Sequence, residues 1–156
     1  MINEPRSTMI NDPEIIDEML RQAKTIAVVG MSDKPQRASF NIGRYLAQEG
    51  YRVYPVNPAL NEILGAPCYP DLEAAQAAAR EQSGAGIDLV DVFRASENVP
   101  PIVDEVIRLG IKYLWLQDGV IHDEAVAKAR AAGVKVVQDD CIFREHAKMA
   151  GKNPTE

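Results

Sequence analysis

One short pattern occurs three times in this chain, and it restricts the fold more than any other feature. A helical run ends at a glycine and an apolar–basic–apolar triplet follows at once: Gly50-Tyr51-Arg52-Val53, Gly110-Ile111-Lys112-Tyr113 and Gly133-Val134-Lys135-Val136. The glycine supplies the left-handed turn that closes a helix, so the chain passes into a strand with almost no loop. Helices and strands alternating in this way build a parallel sheet covered on both faces, with right-handed crossovers.

Hydrophobic periodicity fills in the rest. Strands are expected at 25–29, 51–56, 87–93, 112–116 and 134–137, in the order 3-2-1-4-5. Asp12 caps a first helix with Pro13 at its first position and Ile15, Ile16, Met19 and Leu20 on one face. Ser39 is expected to cap a second helix carrying Ile42, Tyr45 and Leu46. Gly43 within it fits a close helix–sheet crossing or a close approach to a ligand. Further helices are expected at 71–80, from about 98 with Pro100 and Pro101 in the first turn, at 123–132, and at 143–148. Residues 1–11 read as a flexible segment, 12–150 as a single domain and 151–156 as a flexible tail.

The net charge is −6, which argues against a nucleic-acid partner or a membrane surface, since both require a concentrated positive field. No apolar run approaches the roughly 20 residues of a membrane span. The two cysteines, Cys68 and Cys141, lie far apart and fit no disulfide or metal framework. A reducing cytoplasmic location is the expectation. Oligomeric state and protein partners are not readable.

In a doubly wound sheet, ligands gather beyond the carboxyl ends of the strands at the switch point, here expected between strands one and four. The first strand stops at Gly30, and Met31, Ser32, Lys34 and Arg37 follow before the helix. Such a loop and helix start offer unpaired N–H groups and a positive dipole end to a phosphate. The dinucleotide fingerprint is absent, because Ser32 and Pro35 stand where its second and third glycines belong. The second strand ends in Asn57-Pro58 instead of the acidic residue that grips a ribose diol; turn chemistry explains the pair equally well. Phe93, Arg94 and Val99 follow the third strand, and Phe93 and Val99 are candidates to sandwich an adenine. Gln117 and Gly119 follow the fourth, where Gly119 fits a tight turn or a ligand's approach.

Catalytic groupings are scarce. Cys141, before the last helix, is a weak nucleophile candidate, with a buried structural thiol as the alternative. His122 is expected to cap a helix or to lie exposed before it, His146 to lie on an exposed helix face, and Asp139 and Asp140 to form a solvated turn. No nucleophile elbow, Walker loop or His-x-x-x-His pair occurs.

The residues then match a family pattern. Ile26-Ala27-Val28-Val29-Gly30-Met31-Ser32, Tyr51-Arg52-Val53-Tyr54-Pro55-Val56-Asn57-Pro58, Ile63-Leu64-Gly65, Asp88-Leu89-Val90-Asp91-Val92-Phe93-Arg94, Trp115-Leu116-Gln117-Asp118-Gly119 and Asp140-Cys141-Ile142 with Glu145-His146 occur in that order. Together they resemble the small stand-alone CoA-binding proteins, Rossmann-like domains related to the CoA-binding domain of the succinyl-CoA synthetase α subunit. The resemblance implies a non-catalytic module for coenzyme A or an acyl-CoA. Its phosphates would meet the loop from Gly30 to Arg37, including Ser39. Its adenine nucleotide would lie near Asn57, Pro58, Phe93, Arg94 and Val99, and its pantetheine would run towards Gln117 and Gly119. Asp118 departs from the apolar residue expected there. Two alternatives stand beside this reading: a CoA-dependent thiol-redox or acyl-transfer enzyme using Cys141, and an NAD(P)-binding regulatory domain.

Overall fold

The computed structural model describes residues 10–152. The expected flexible segments at 1–11 and 151–156 therefore fall for the most part outside the described residues. Asn11 is tied down, exchanging hydrogen bonds of 2.7 Å with both backbone groups of Gln138.

Among the described residues, seven strands occur in chain order. They are β1 (Thr25–Val29), β2 (Arg52–Val56), the hairpin strands β3 (Glu62–Ile63) and β4 (Ala66–Pro67), then β5 (Leu89–Val92), β6 (Tyr113–Leu116) and β7 (Lys135–Val137). The helices are α1 (Pro13–Gln22), α2 (Ala38–Gln48), α3 (Leu72–Ser83), α4 (Val99–Arg108), α5 (Asp123–Ala131) and α6 (Ile142–Met149). Each repeated glycine junction closes a helix at positive φ, as its spacing requires. The hairpin lies between β2 and α3.

The main sheet is parallel with the order β2-β1-β5-β6-β7, so the five expected strands are arranged 2-1-3-4-5 and not 3-2-1-4-5. Pro55 gives the physical reason. It lies in β2 opposite Val28, and its neighbours Val56 and Asn57 alternate their N–H groups towards β1 and away from it. Pro55 faces away, where an outer strand would need a donor that proline lacks. That makes β2 an edge strand, partly covered by Tyr69, whose N–H donates to Pro55 O at 2.9 Å. β5, buried at every position, takes the interior place beside β1. The switch point accordingly lies between β1 and β5.

Two cores flank the sheet. α3, α4 and α5 cover one face with a largely aliphatic cluster that includes Val90, Val103 and Leu114. α1, α2 and α6 cover the other, around Met19, Ile26, Trp115 and Ile142. Asp91 points into this second side and is fully buried, and neither carboxyl oxygen has a hydrogen-bond partner. Burial pushes its pKa well above the ordinary carboxylate value, which favours the neutral acid.

His146 is also buried here, 6% exposed, with Nδ1 2.7 Å from the Tyr45 hydroxyl. The expected exposed helix face is thus corrected. α6 turns that side towards α2, and the aromatic rings of Tyr45 and Tyr51 pack edge-on against the imidazole. No described helix is long and apolar enough to cross a membrane.

Candidate functional site

β1 ends against two neighbours. The N–H of Gly30 donates to Val56 O at 2.8 Å, and the chain turns away at φ +88°. A Cβ at Gly30 would run into the carbonyl oxygen of Phe93, so a side chain is excluded both by conformation and by space. The turn leads into a loop pinned at several points. Ser32 N donates to Ser39 Oγ at 2.9 Å, Lys34 N to Ser32 Oγ at 3.0 Å, and Asn57 Nδ2 to Met31 O at 3.0 Å. Asn41 Nδ2 reaches Pro35 O at 2.7 Å.

This pinning decides what several expected site residues do. α2 begins at Ala38 with Arg37 at the cap and no side-chain cap bond; Ser39 lies inside the helix and holds the loop instead of capping. Met31 is buried, with its thioether against Gly43, which accounts for that glycine by close packing. Asn57 spends its amide on Met31 O and its oxygen on Ala59 N, so turn chemistry accounts for it.

Beyond the ends of β1, β5 and β6 lies an open cleft of about 490 Å³. Gly30, Ser32, Lys34, Arg37, Ala38 and Ser39, from the β1–α2 connection, form one end; Gln117, Asp118 and Val120, after β6, form the other, with Phe93 between them beside Gly30. The Lys34 and Arg37 side chains are exposed and form no ion pair with a described residue. No acidic residue occupies the first turn of α2. Two cations, an uncapped helix start and a fixed loop together favour an anion, above all a phosphate. Ala38 lacks any side-chain signal and enters the cleft because the helix starts there.

A second groove, of about 350 Å³, opens on the edge side of Gly30. Val29, Val56, Pro58, Leu72, Pro101 and Ile102 give it apolar walls, with Arg94 and Asn98 among its polar groups. Val99 is fully buried in the α3–α5 core and leaves no surface to stack on a base, which corrects the expected sandwich with Phe93. Pro58 and Arg94 do reach this groove. A flat, largely apolar group fits such a slot.

At the far end, Gln117 is buried and its Oε1 accepts from Ile142 N at 3.1 Å, linking the cleft wall to the start of α6. Gly119 forms a turn at φ +79°, its N–H held 2.7 Å from Asp139 Oδ1. Asp139 and Asp140 are engaged and not merely solvated, since Asp140 Oδ1 accepts from Cys141 N at 2.8 Å and from Arg144 Nη2 at 2.9 Å. Arg144 also forks onto Asp118 at 3.1 and 2.9 Å. Cys141 is 7% exposed and, like Cys68, free of any disulfide. His122 caps α5 as expected, its Nδ1 accepting from Ala125 N at 3.1 Å. Among the described residues, no three His, Cys, Asp or Glu side chains gather as a metal site requires.

Comparison with known proteins bears on this geometry. Residues 24–147 match the family model described as a CoA binding domain. The uncharacterized protein YneT of Bacillus subtilis is 36% identical over 132 residues, covering 85% of this chain and 92% of that protein. Acetate–CoA ligase (ADP-forming) I of Archaeoglobus fulgidus is 30% identical over 143 residues; the match covers 85% of this chain but 20% of the ligase. A solved structure of a hypothetical protein from Pyrococcus horikoshii superposes with a TM-score of 0.80 at 34% identity, over 97% of this chain and 100% of that one.

Proposed function

This chain belongs to the CoA binding domain family, and from that premise we propose that it binds coenzyme A, or an acyl-CoA, as a non-catalytic binding or regulatory module of the cytoplasm. The observation that carries the reading is the uncapped start of α2 beside Lys34 and Arg37, whose charges no described residue neutralises. A diphosphate placed there meets N–H groups, a positive helix end and two cations. The apolar groove beside Pro58 and Arg94 suits the adenine end, and the cleft past Phe93 and Gln117 suits the uncharged pantetheine arm. At the end of β2, Asn57 offers no carboxylate to a ribose diol, and its amide is already committed. That weighs against the NAD(P) alternative. Burial of the Cys141 thiol weighs against thiol exchange as its main role.

Calorimetric titration of the purified protein with coenzyme A and with NAD tests the reading. Coenzyme A is expected to bind and NAD to bind far more weakly; NAD binding without coenzyme A binding sinks it. Within that experiment, Arg37→Ala separates two placements. A loss of about 10-fold or more for coenzyme A, but not for dephospho-coenzyme A, puts Arg37 on the ribose phosphate. Equal losses put it on the diphosphate.

A further inference from the structure

The cleft carries opposite charge at its two ends. Lys34, Arg37 and the start of α2 make the first end positive. At the second end Asp118 lines the cleft, with Asp139 and Asp140 behind it at the end of β7. Arg144 is the cation beside them, and its guanidinium is already committed. Nη1 and Nη2 donate to the two oxygens of Asp118 at 3.1 and 2.9 Å, and Nη2 also donates to Asp140 Oδ1 at 2.9 Å. Lys148 pairs with Glu145 at 3.4 Å, and Glu145 also hydrogen-bonds to Asp140, which pushes its pKa up. Even with a proton shared between Asp140 and Glu145, the four carboxylates outweigh Arg144 and Lys148 and leave this end negative.

Resting on the coenzyme A reading above, we infer that the site takes coenzyme A as the free thiol or with an uncharged acyl group, and rejects thioesters whose acyl chain ends in a carboxylate. With the diphosphate at the positive end, the pantetheine arm runs past Phe93 and Gln117, and whatever its sulfur carries arrives at Asp118. A neutral acyl group meets no electrostatic penalty there. A terminal carboxylate meets a like charge there, and because the Asp118 side chain is more than half exposed at the open cleft, the repulsion is partly screened and costs roughly threefold in affinity. Arg144 does not offset this, because capturing the newcomer means giving up a fork that Asp118 already fills. Asp118 is thus a specificity determinant that works by repulsion.

Butyryl-CoA and succinyl-CoA have acyl chains of equal carbon count and differ in the terminal carboxylate, so their affinity ratio isolates the charge. By calorimetry at low salt, the wild-type protein is expected to bind butyryl-CoA roughly threefold more tightly. The ratio should shrink towards one in half-molar sodium chloride, where screening acts within a few ångströms. Asp118→Asn, checked for folding by thermal melting, should bring the ratio near one or invert it, because it removes a negative charge and frees part of the Arg144 fork. Equal binding of the two thioesters by the wild type overturns the inference while leaving the coenzyme A reading standing. A large ratio that responds neither to salt nor to Asp118→Asn also overturns it, since the selection is then one of shape. Failure of coenzyme A and both thioesters to bind overturns the parent reading, and this inference with it.

Discussion

The layer of α3, α4 and α5 and the layer of α1, α2 and α6 cover opposite faces of one sheet, but they are built from different chemistry. Under the first, the buried side chains are aliphatic apart from Tyr54 and Gln76. Under the second lie Trp115, Phe40, Tyr113 and two methionines, together with the buried Asp91, Ser39, Gln117 and His146. The polar face is also the one that shapes the positively charged end of the cleft. Met31 and Ser39 are buried in or beside it and fix the loop after Gly30, while the uncapped start of α2 leaves its N–H groups there. The aliphatic face contributes mainly burial and the walls of the groove. One face holds the sheet together; the other holds the loop after Gly30 in shape, at some cost in uncompensated polarity.

The contrast can be broken most directly with Leu114→Ala on the aliphatic face, where the side chain is fully buried. A loss of about 2–5 kcal/mol in urea unfolding is expected, and it should be the same at pH 5 and pH 8, because no titrating group is involved. A loss that varies with pH would mean the two faces are not chemically separate.

Asp91→Asn tests the polar face and should act in the opposite direction. The folded-state pKa of Asp91 is raised, so its contribution to stability is intact below the unfolded value of about 3.9. It is lost as pH rises towards the folded value, at about 1.4 kcal/mol per pH unit. The asparagine variant lacks that loss, so it should be more stable than wild type at pH 8 and the two should converge near pH 4. Parallel stability curves would show that the carboxyl has found a partner.

The smallest effect is expected at His146. Burial lowers its pKa, with Glu49 acting to raise it and Lys152 to lower it. Its neutral form therefore stabilises the fold at neutral pH, and that contribution falls as pH drops below the unfolded value of about 6.5. His146→Phe should lose about 1 kcal/mol at pH 7 with the Tyr45 hydrogen bond. It should then decline less than wild type between pH 7 and pH 5, as melting temperatures would report.

Much of this architecture was legible along the chain. The three glycine junctions, Pro13 behind Asp12, and Pro100 and Pro101 in the first turn of α4 are local signals, and the helices start and stop where these residues allow. Gly30, Ser32, Lys34 and Arg37 were legible as one end of a cleft because a strand, a turn and a helix start are contiguous in sequence. The strand order was misread even though Pro55 carries the signal: a proline inside a strand marks an edge, and that rules out a third strand outside β2. His146 was misread because an eight-residue helix has few positions from which to judge a buried face, and only the partner helix settles it. Val99 looked available to a ligand because it follows a strand end, yet the turn at Ser96–Asn98 carries it into the core.

The sequence by itself determined the kind of sheet, the number of its main strands and the positive end of the cleft. These follow from periodicity, caps and steric limits that act within a few residues. The tertiary structure alone decided that β5 sits beside β1, that Asp91 is sealed in without a partner, and that Asp118 faces Lys34 and Arg37 across one cleft. These depend on which distant segments share a neighbour, and nothing in the local energetics of a strand or helix specifies what packs against it.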